Sequence, residues 1–309
     1  MGEFFLKEKI VDQVYEVIKG DRGSYKKVIS EINKSKVRRL YCVHRSLRSQ
    51  LMSLQIKAEK KVGFKSASGF FIFDDQIEFS KTWPEPLRQL KILSSTSLEV
   101  AKQLAQKNWD YLNKTDAEGN LPAIPIEFQN HTLALTQSKQ QVALFPGSVW
   151  ATKKWTYQGF ADVARAFLDK GYDVFLMGGP DEKDLCQLIL TLAPGCQILA
   201  GTNSIYDSVL FIRNCALVIS NDSAPAHMAA SQNIPVLSLF GPTTLDLGFR
   251  PWTSKVKIVE NNMLDCRPCG RHGHQKCPLG HHRCMNEISG QWVIDAGLQL
   301  IYKTTGKKS

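Results

Sequence analysis

The sequence predicts an α/β protein with two domains, each built on a mostly parallel sheet. Short apolar, β-branched runs alternate with amphipathic helical stretches, and this alternation is typical of parallel strands joined by helices. The chain has 309 residues, of which 43% are apolar and 22% charged, so each of two domains can bury a core. The proline and turn residues of AEGNLPAIPIEF (117–128) indicate a connection between them. We therefore predict domains over 1–120 and 141–309, with a linker over 121–140.

The elements of the first domain follow from its apolar patterns. Strands are predicted at VYEVI (14–18), RRLYCV (38–43) and VGF (62–64), helices at 24–34 and 46–57, and a long helical stretch from about Pro86 to Leu112.

The second domain has a clearer pattern, because its strands are short, uninterrupted apolar runs. Strands are predicted at VALF (142–145), DVFLMG (173–178), ALVIS (216–220) and PVLSLFG (235–241), and helices at 157–170, 181–193, 205–214 and 225–232, followed by a C-terminal helix. This order predicts a doubly wound, Rossmann-like domain. Such domains bind ligands at the carboxyl ends of the strands, so the loops there are the candidate site.

The first of these loops reads PGSVWATKKW (146–155). Gly147 and Ser148 permit a tight turn with exposed backbone N–H groups, and Lys153 and Lys154 precede a helix. Backbone amides and an ammonium together suit a phosphate. The alternative is a surface turn with two solvated lysines.

Two later loops carry acidic and small residues at helix starts. GGPDEKDL (178–185) places Asp181 as an N-cap, where a carboxylate either caps the helix or binds ribose hydroxyls. SNDSAPAHMAAS (220–231) places Asp222 and Ser223 at the next cap, with His227 in the first turn of the helix. A histidine beside a carboxylate at a strand end favours function over simple packing.

The net charge of +10 is concentrated near the N-terminus. Residues 1–65 contain 16 Lys or Arg and 7 Asp or Glu, which accounts for nine of the ten charges. This indicates either a basic docking face or a solvated surface. No basic, aromatic-interleaved motif points to nucleic acid, and no apolar run resembles a membrane span or a signal peptide, so we expect a cytoplasmic protein without a nucleic-acid partner.

Four of the eight cysteines cluster near the C-terminus. Cys266, Cys269, Cys277 and Cys284 follow the pattern C-x2-C-x7-C-x6-C, with histidines between them. The spacing permits a tetrahedral zinc site, although only one C-x2-C pair is present. The alternative is a compact loop of thiols and histidines without a metal.

Four segments together resemble the glycosyltransferase family 9 heptosyltransferases, and most closely the heptosyltransferase II group. They are PGSVWATKKW, ALVISNDSAPAHMAA, PVLSLFGPT and CRPCGRHGHQKCPLGHHRCM, and the early segment HRSLRSQLMSLQIKAEKKVGF (44–64) also resembles the family's N-terminal domain. The resemblance implies a GT-B fold, in which two Rossmann-like domains face a cleft. It further implies inverting transfer of heptose from ADP-heptose to the lipopolysaccharide inner core, with no cofactor.

The resemblance also implies roles for individual residues. Lys153 or Lys154 would neutralise the diphosphate, with Ser148 in the same loop, and Asp181 or Glu182 would bind the ribose. The N–H groups of Ser223 and Ala224 would hold phosphate, and Asp222 and His227 would line the donor side. Arg45 and Arg48 would meet the anionic acceptor, at a peripheral contact with the inner membrane surface.

The chain departs from the family pattern at its N-terminus. Family members begin with a strand, a Gly-Asp loop whose Asp is the expected general base, a helix and a second strand, and we find no counterpart here. The Gly-Asp pair at Asp21 follows a later element, so the catalytic role is not assigned to it. Two hypotheses follow: the true start lies upstream, or the chain is a truncated, non-catalytic ADP-sugar-binding relic. Transfer of a different sugar is a further alternative.

Overall fold

The computed structural model describes residues 2–65, 72–105, 108–129 and 140–306. The chain divides into two compact units, Met1–Asp110 and Tyr111–Ser309. Both contain parallel sheets, as the sequence predicts. Residues 111–129 therefore group with the second unit, whereas the sequence places a boundary at residue 120. Of the predicted linker over 121–140, residues 130–139 lie outside the described ranges.

The first unit holds a three-stranded parallel sheet in the order β1-β2-β3. Its elements are α1 (Gly2–Lys7), α2 (Arg22–Ile32), β1 (Val37–Cys42), α3 (Leu47–Gln55), β2 (Ala58–Phe64), β3 (Asp75–Ile77), α4 (Glu85–Lys91) and α5 (Leu98–Leu104). The buried side chains of Val62, Phe64 and Ile92 form a core beneath the sheet.

The predicted strand at VYEVI (14–18) is wrong. These residues have no regular secondary structure, and Ile18 is 67% exposed. Its backbone N–H donates to Ser24 Oγ (2.9 Å) instead of to a neighbouring strand. A β-branched run forms a strand only where another strand supplies hydrogen-bonding partners, and in the described part of the chain none pairs with this segment.

The predicted helix over 86–112 is interrupted. After α4 the chain tightens into a 3-10 turn at Ile92–Ser95 and restarts at α5, where the Ser97 side chain accepts from the backbone N–H of Val100. Ser94 and Thr96 also bond nearby carbonyls. Serine and threonine side chains compete with the helical hydrogen-bond ladder, so the cluster at 94–97 ends one helix and caps the next.

The second unit holds a six-stranded parallel sheet in the order β6-β5-β4-β7-β8-β9. Its strands are β4 (Gln141–Phe145), β5 (Asp173–Leu176), β6 (Gln197–Ile198), β7 (Cys215–Asn221), β8 (Val236–Phe240) and β9 (Val256–Glu260). Its helices are α6 (Tyr157–Asp169), α7 (Lys183–Leu192), α8 (Ile205–Ile212), α9 (Ala224–Ser231), α10 (Arg283–Asn286) and α11 (Gly290–Thr305).

All seven strands and helices predicted between 142 and 232, and the strand after them, are therefore confirmed in type and approximate position, and this unit is doubly wound. The first strand, β4, lies between β5 and β7, so the connections turn outward in opposite directions from it. The gap between the carboxyl ends of β4 and β7 is the topological switch point, where α/β sheets place their ligands.

Residues 111–129 are attached to the second unit by hydrogen bonds from its last strands. Asn120 bridges Lys257, and the backbone N–H of Ile124 donates to Ser254 Oγ (3.0 Å). At Gly119 (φ 80°) a Cβ would lie 2.2 Å from the carbonyl oxygen of Ile258, so only glycine permits this approach.

No helix within the described residues has the length and hydropathy needed to cross a membrane.

Candidate functional site

The site lies at the carboxyl ends of β4, β7 and β8, at the switch point. The turn after β4 carries Lys153, the residue after β7 is Asp222, and the residues after β8 include Thr243. Parallel strands bring their carboxyl ends to one edge of the sheet, so these three residues meet although they are far apart in the chain.

Asp222 is the centre of this group. Lys153 Nζ lies 2.5 Å from its Oδ2 and 3.3 Å from its backbone oxygen. The hydroxyl of Thr243 donates to the same Oδ2 at 2.6 Å. The Lys153 and Asp222 side chains are 12% and 8% exposed, so solvent reaches the pair only at its edge. A charge-assisted pair with this little solvation is held firmly, yet it offers an ammonium to an anion and a carboxylate to a hydroxyl.

Helix α9 begins beside this pair. Ser223 is its N-cap, but the hydroxyl contacts Ser220 Oγ (3.2 Å) and the backbone oxygen of Asn221 (3.3 Å) instead of capping the helix. Pro225 has no N–H, and the N–H of Ala226 bonds Ser223 O (3.2 Å). An anion at this end of α9 would therefore meet the N–H groups of Ser223 and Ala224 first.

His227 lies in the first turns of α9, as predicted. The residue is exposed, although neighbouring protein atoms still desolvate its imidazole. The resulting desolvation lowers its pKa, and the Asp222 carboxylate raises it less than desolvation lowers it; the Lys153 ammonium lowers it further. The imidazole is accordingly neutral at pH 7 and can both donate and accept a hydrogen bond.

The two acidic candidates after β5 differ in position. Asp181 is exposed and is not the N-cap of the helix, contrary to the sequence prediction. Gly179 precedes the 3-10 turn Pro180–Glu182, and Glu182 precedes α7. The half-buried Glu182 carboxylate accepts from the backbone N–H of Gly179. The Glu182 carboxylate thus satisfies the amide of Gly179 and makes no capping hydrogen bond to α7.

Glu182 also reaches the loop after β4. A Cβ on Gly147 would lie 2.0 Å from Glu182 Oε1, and one on Gly178 would lie 2.8 Å from Oε2. The absence of side chains at these glycines therefore lets one carboxylate lie against both loops. Ser148 and Lys154, in the same loop, are half-buried, and Lys153 is the lysine that faces Asp222.

The histidine-rich loop packs on the Lys153 turn through Thr152. The Thr152 hydroxyl donates to His274 O (2.8 Å) and accepts from His274 N (2.8 Å), and its backbone oxygen bonds His282 Nε2 (2.7 Å). Arg267 fixes the base of this loop, with an ion pair to Glu260 Oε2 (2.6 Å) and a hydrogen bond to Thr243 O (3.0 Å). The loop is thus part of the wall of the site.

The four clustered cysteines are free thiols. Across the described ranges, no group of three or more His, Cys, Asp or Glu side chains is arranged to hold a metal ion, and we propose no zinc site at Cys266, Cys269, Cys277 and Cys284. Burial raises the pKa of Cys284 to about 11. At Cys277, burial raises the pKa, but the backbone N–H groups of His282, Leu279, Gly280 and His281 together lower it further than burial raises it.

The candidate acceptor residues lie in the first unit, at the end of β1. Arg45 is exposed, and its guanidinium carbon lies 4.2 Å from the centroid of the Phe79 ring. A ring under the guanidinium orients it without neutralising it. Arg48 is exposed on the first turn of α3.

Sequence reasoning missed Thr243, Asn221 and Thr152. Asn221 is completely buried at the end of β7 and binds the turn after β4. The available signal was the Asn-Asp pair at a strand end and the polar residue after FGP, but contacts across 21 to 130 residues leave no local period in the sequence.

Two α/β units with parallel sheets, the second with a cation–carboxylate pair at its switch point, give the chain the architecture of the GT-B fold class. Within that class the match is specific: residues 26–279 match the profile of glycosyltransferase family 9 (heptosyltransferase). The chain belongs to this family.

Individual relatives agree with that assignment. Lipooligosaccharide heptosyltransferase 2 of Campylobacter jejuni (strain NCTC 11168) is 31% identical over 182 residues, which are 57% of this chain and 55% of that protein. The chain thus matches about half the length of this curated relative.

Two solved structures share the fold. The structure of E. coli ADP-heptose lps heptosyltransferase II superimposes with a TM-score of 0.65 at 21% identity, covering 91% of this chain and 82% of that one. The family 9 glycosyl transferase from Veillonella parvula DSM 2008 gives a TM-score of 0.73 at 20% identity, covering 97% and 86%.

Proposed function

We propose that the chain transfers heptose from ADP-heptose to the inner core of lipopolysaccharide, with inversion at the anomeric carbon. The observation that carries this proposal is the Lys153–Asp222 pair at the switch point of the second sheet. Membership of the heptosyltransferase family supports the sugar, and the E. coli structure is described as an ADP-heptose enzyme, which supports the donor.

The leaving group determines what the donor site must do. Displacement of ADP from the anomeric carbon develops negative charge on the diphosphate, so groups that meet this charge stabilise the transition state. Lys153 supplies an ammonium, and the N–H groups of Ser223 and Ala224 add the positive end of α9. Lys154 and Ser148 stand in the same turn as secondary diphosphate contacts.

Sugar and ribose hydroxyls require acceptors. Asp222 already accepts from Lys153 and Thr243, and its remaining oxygen is available to a heptose hydroxyl; His227 lies on the same side. Glu182 or the more exposed Asp181 would accept from the ribose. A general base must also take the proton from the attacking acceptor hydroxyl, and we assign that role to no residue described here.

The acceptor side of the proposal rests on the first unit. Arg45 and Arg48 are exposed cations in a region that carries nine of the ten net charges. The inner core and lipid A carry carboxylates and phosphates, which attract such a surface to the cytoplasmic face of the inner membrane. We propose peripheral contact there.

A turnover assay tests the proposal. Purified chain is mixed with ADP-heptose and a Kdo-lipid A acceptor that already carries one heptose, and ADP release and product mass are followed; the K153A variant is the control. Product formation that K153A abolishes is expected. Calorimetric binding of ADP without turnover would instead favour the non-catalytic binding protein, and product formation only from another ADP-sugar would correct the sugar. Absence of both binding and turnover would refute the donor assignment.

A further inference from the structure

Asn221 occupies an unusual position for a polar side chain, because such side chains are mostly exposed. It is the last residue of β7, it is completely buried, and it directly precedes Asp222. A buried amide without partners would be costly, so its contacts show what the position requires.

Those contacts all lead to one turn. The Asn221 Nδ2 group donates to Pro146 O (2.8 Å) and to Gly147 O (3.2 Å). Its Oδ1 accepts from the backbone N–H of Trp155 (3.0 Å). The side chain therefore holds both ends of the 146–155 turn, and both donor hydrogens are used.

The turn held in this way is the one that carries Lys153. Two neighbouring residues of β7 and its exit loop thus act on the same turn: Asn221 binds its backbone at both ends, and Asp222 binds the ammonium at Lys153. A shift of the Lys153 amine by about 1 Å would lengthen this 2.5 Å contact to the limit of a hydrogen bond and weaken it.

Further contacts restrict the turn without replacing Asn221. Thr152 binds the histidine-rich loop, and the indole N–H of Trp155 donates to Ile288 O (3.0 Å). Neither contact involves Pro146 or Gly147, so the start of the turn depends on Asn221 for the two hydrogen bonds described above.

We infer that Asn221 is a positioning residue, which sets Lys153 opposite Asp222 by fixing the 146–155 turn to the end of β7. It does not touch the donor; it acts through Lys153. The expected effect of Asn221 on ADP binding rests on the proposed function, whereas its effect on the position of Lys153 does not.

The experiment measures Lys153 directly. Trace acylation with acetic anhydride, followed by mass spectrometry, gives the rate at which the Lys153 amine reacts. Asn221→Ala should increase this rate about 10-fold, because the amine loses its partner. The buried amine of Lys257, held by Asn120 Oδ1 (3.2 Å), is the internal control and should not change. An unchanged Lys153 rate would overturn the inference, and equal increases at both lysines would also overturn it, because they would report general loosening.

Two further variants separate positioning from lost stability. Gln232 is a buried amide at the other end of α9, bonded by Arg213 Nε (2.6 Å), so Gln232→Ala is a matched control that should leave the Lys153 rate unchanged. If Asn221→Ala does not fold, Asn221→Asp keeps the size and the acceptor for Trp155 but loses both donors. It should raise the Lys153 rate in the same way, and failure to do so would refute the inference.

ADP binding extends the test to the donor. Asn221→Ala should weaken ADP binding about 10-fold in the wild-type background and less than about 2-fold when Lys153 is already alanine, because residues that act in series are not additive. Equal losses in both backgrounds would show that Asn221 does not act through Lys153. If the wild-type chain binds no ADP, the proposed function fails, and the acylation rates still decide the role of Asn221.

Discussion

Lys153 and Asp222 lie on the exit loops of two adjacent strands, 69 residues apart, with Nζ 2.5 Å from Oδ2. The pair forms because β4 and β7 are neighbours in the sheet, although two strands and three α-helices separate them in the chain. Thr243 adds a third exit loop through the same carboxylate oxygen. The site is therefore a direct product of the strand order, since another order would separate these loops.

The Lys153 ammonium should dominate ADP affinity. Lys153→Ala is expected to weaken ADP binding about 30-fold, or about 2 kcal/mol, which is the size of a charge-assisted contact to phosphate. Lys154→Ala is the comparison and should weaken ADP binding less, because Lys154 is the adjacent lysine, a secondary diphosphate contact, and does not pair with Asp222. Calorimetric titration measures both, and a larger loss for Lys154→Ala would show that the wrong lysine has been assigned.

Substitutions at Gly147 and Glu182 should have coupled effects on the free energy of unfolding. Gly147→Ala places a methyl group 2.0 Å from the present position of Glu182 Oε1, so the carboxylate must move and loses its bond to Gly179. We expect a loss of about 1–2 kcal/mol in the free energy of unfolding. An E182A background removes the three atoms that lie nearest to this methyl group, so Gly147→Ala should then cost less than about 0.5 kcal/mol.

Urea denaturation of the four proteins in this cycle measures the coupling. Additive losses would mean that the cost of the methyl group at Gly147 does not come from the approach of Glu182.

Arg250 should be a major source of stability in the second unit. It is 1% exposed and donates to the carbonyl oxygens of Leu112 (2.5 Å), Pro122 (3.2 Å) and Thr253 (3.1 Å). Burial lowers its pKa to about 10, so it remains charged at pH 7. Arg250→Ala leaves these buried carbonyls unpaired and should cost about 3 kcal/mol or more.

Arg165→Ala is the control for this change. Arg165 also donates to a carbonyl, Leu192 O (2.8 Å), but its side chain is 49% exposed, so its removal should cost less than about 1 kcal/mol. Equal losses in urea denaturation would contradict the role given to Arg250.

How far the sequence predicts this molecule depends on the local signal of each element. Strands β4, β5, β7 and β8 are buried on both faces and form apolar runs, so they are recognisable. Strand β9 contains Lys257 and escapes this pattern, because its buried amine is satisfied by Asn120, which is distant in the chain.

Some residues of the candidate site can likewise be predicted from the sequence, and others cannot. Lys153, Asp222 and His227 are recognisable as polar residues placed after apolar strands. Thr243 and Asn221 are not, because their importance arises from hydrogen bonds to loops that the tertiary fold brings near. The error at VYEVI has the related cause that strand propensity carries no information about a partner strand.

Reversal of charge at Arg45 and Arg48 should affect the acceptor alone. R45E/R48E is expected to raise the acceptor KM about 10-fold or more while ADP affinity stays within about 2-fold, because both arginines lie in the first unit and Lys153 in the second. The effect should diminish as salt is raised. The double variant K26E/K27E, on α2, is the control for net charge. An equal rise in KM for that variant would indicate general attraction and not a docking site at Arg45 and Arg48.

The cysteines should differ in their reaction with iodoacetamide, because only the thiolate reacts. Backbone N–H donors lower the pKa of Cys277, which is partly exposed, whereas burial raises the pKa of Cys196 to about 11 and that of Cys186 to about 12. As pH rises, Cys277 should reach half of its maximal alkylation rate at a lower pH than an ordinary thiol, whose pKa is about 9. Cys186 and Cys196 should remain unmodified throughout this range in the folded protein.

Mass spectrometry after timed alkylation between pH 6 and 9 measures each thiol separately. Unfolding in urea is the control, since it removes both burial and the ordered N–H donors and should bring the three rates together. Alkylation of Cys186 before Cys277 in the folded chain would contradict the packing described for this unit. A Cys277 rate that changes with pH as in the unfolded chain would show that the turn at 279–282 does not hold its amides against the sulfur, because only those donors distinguish its thiolate from an ordinary one.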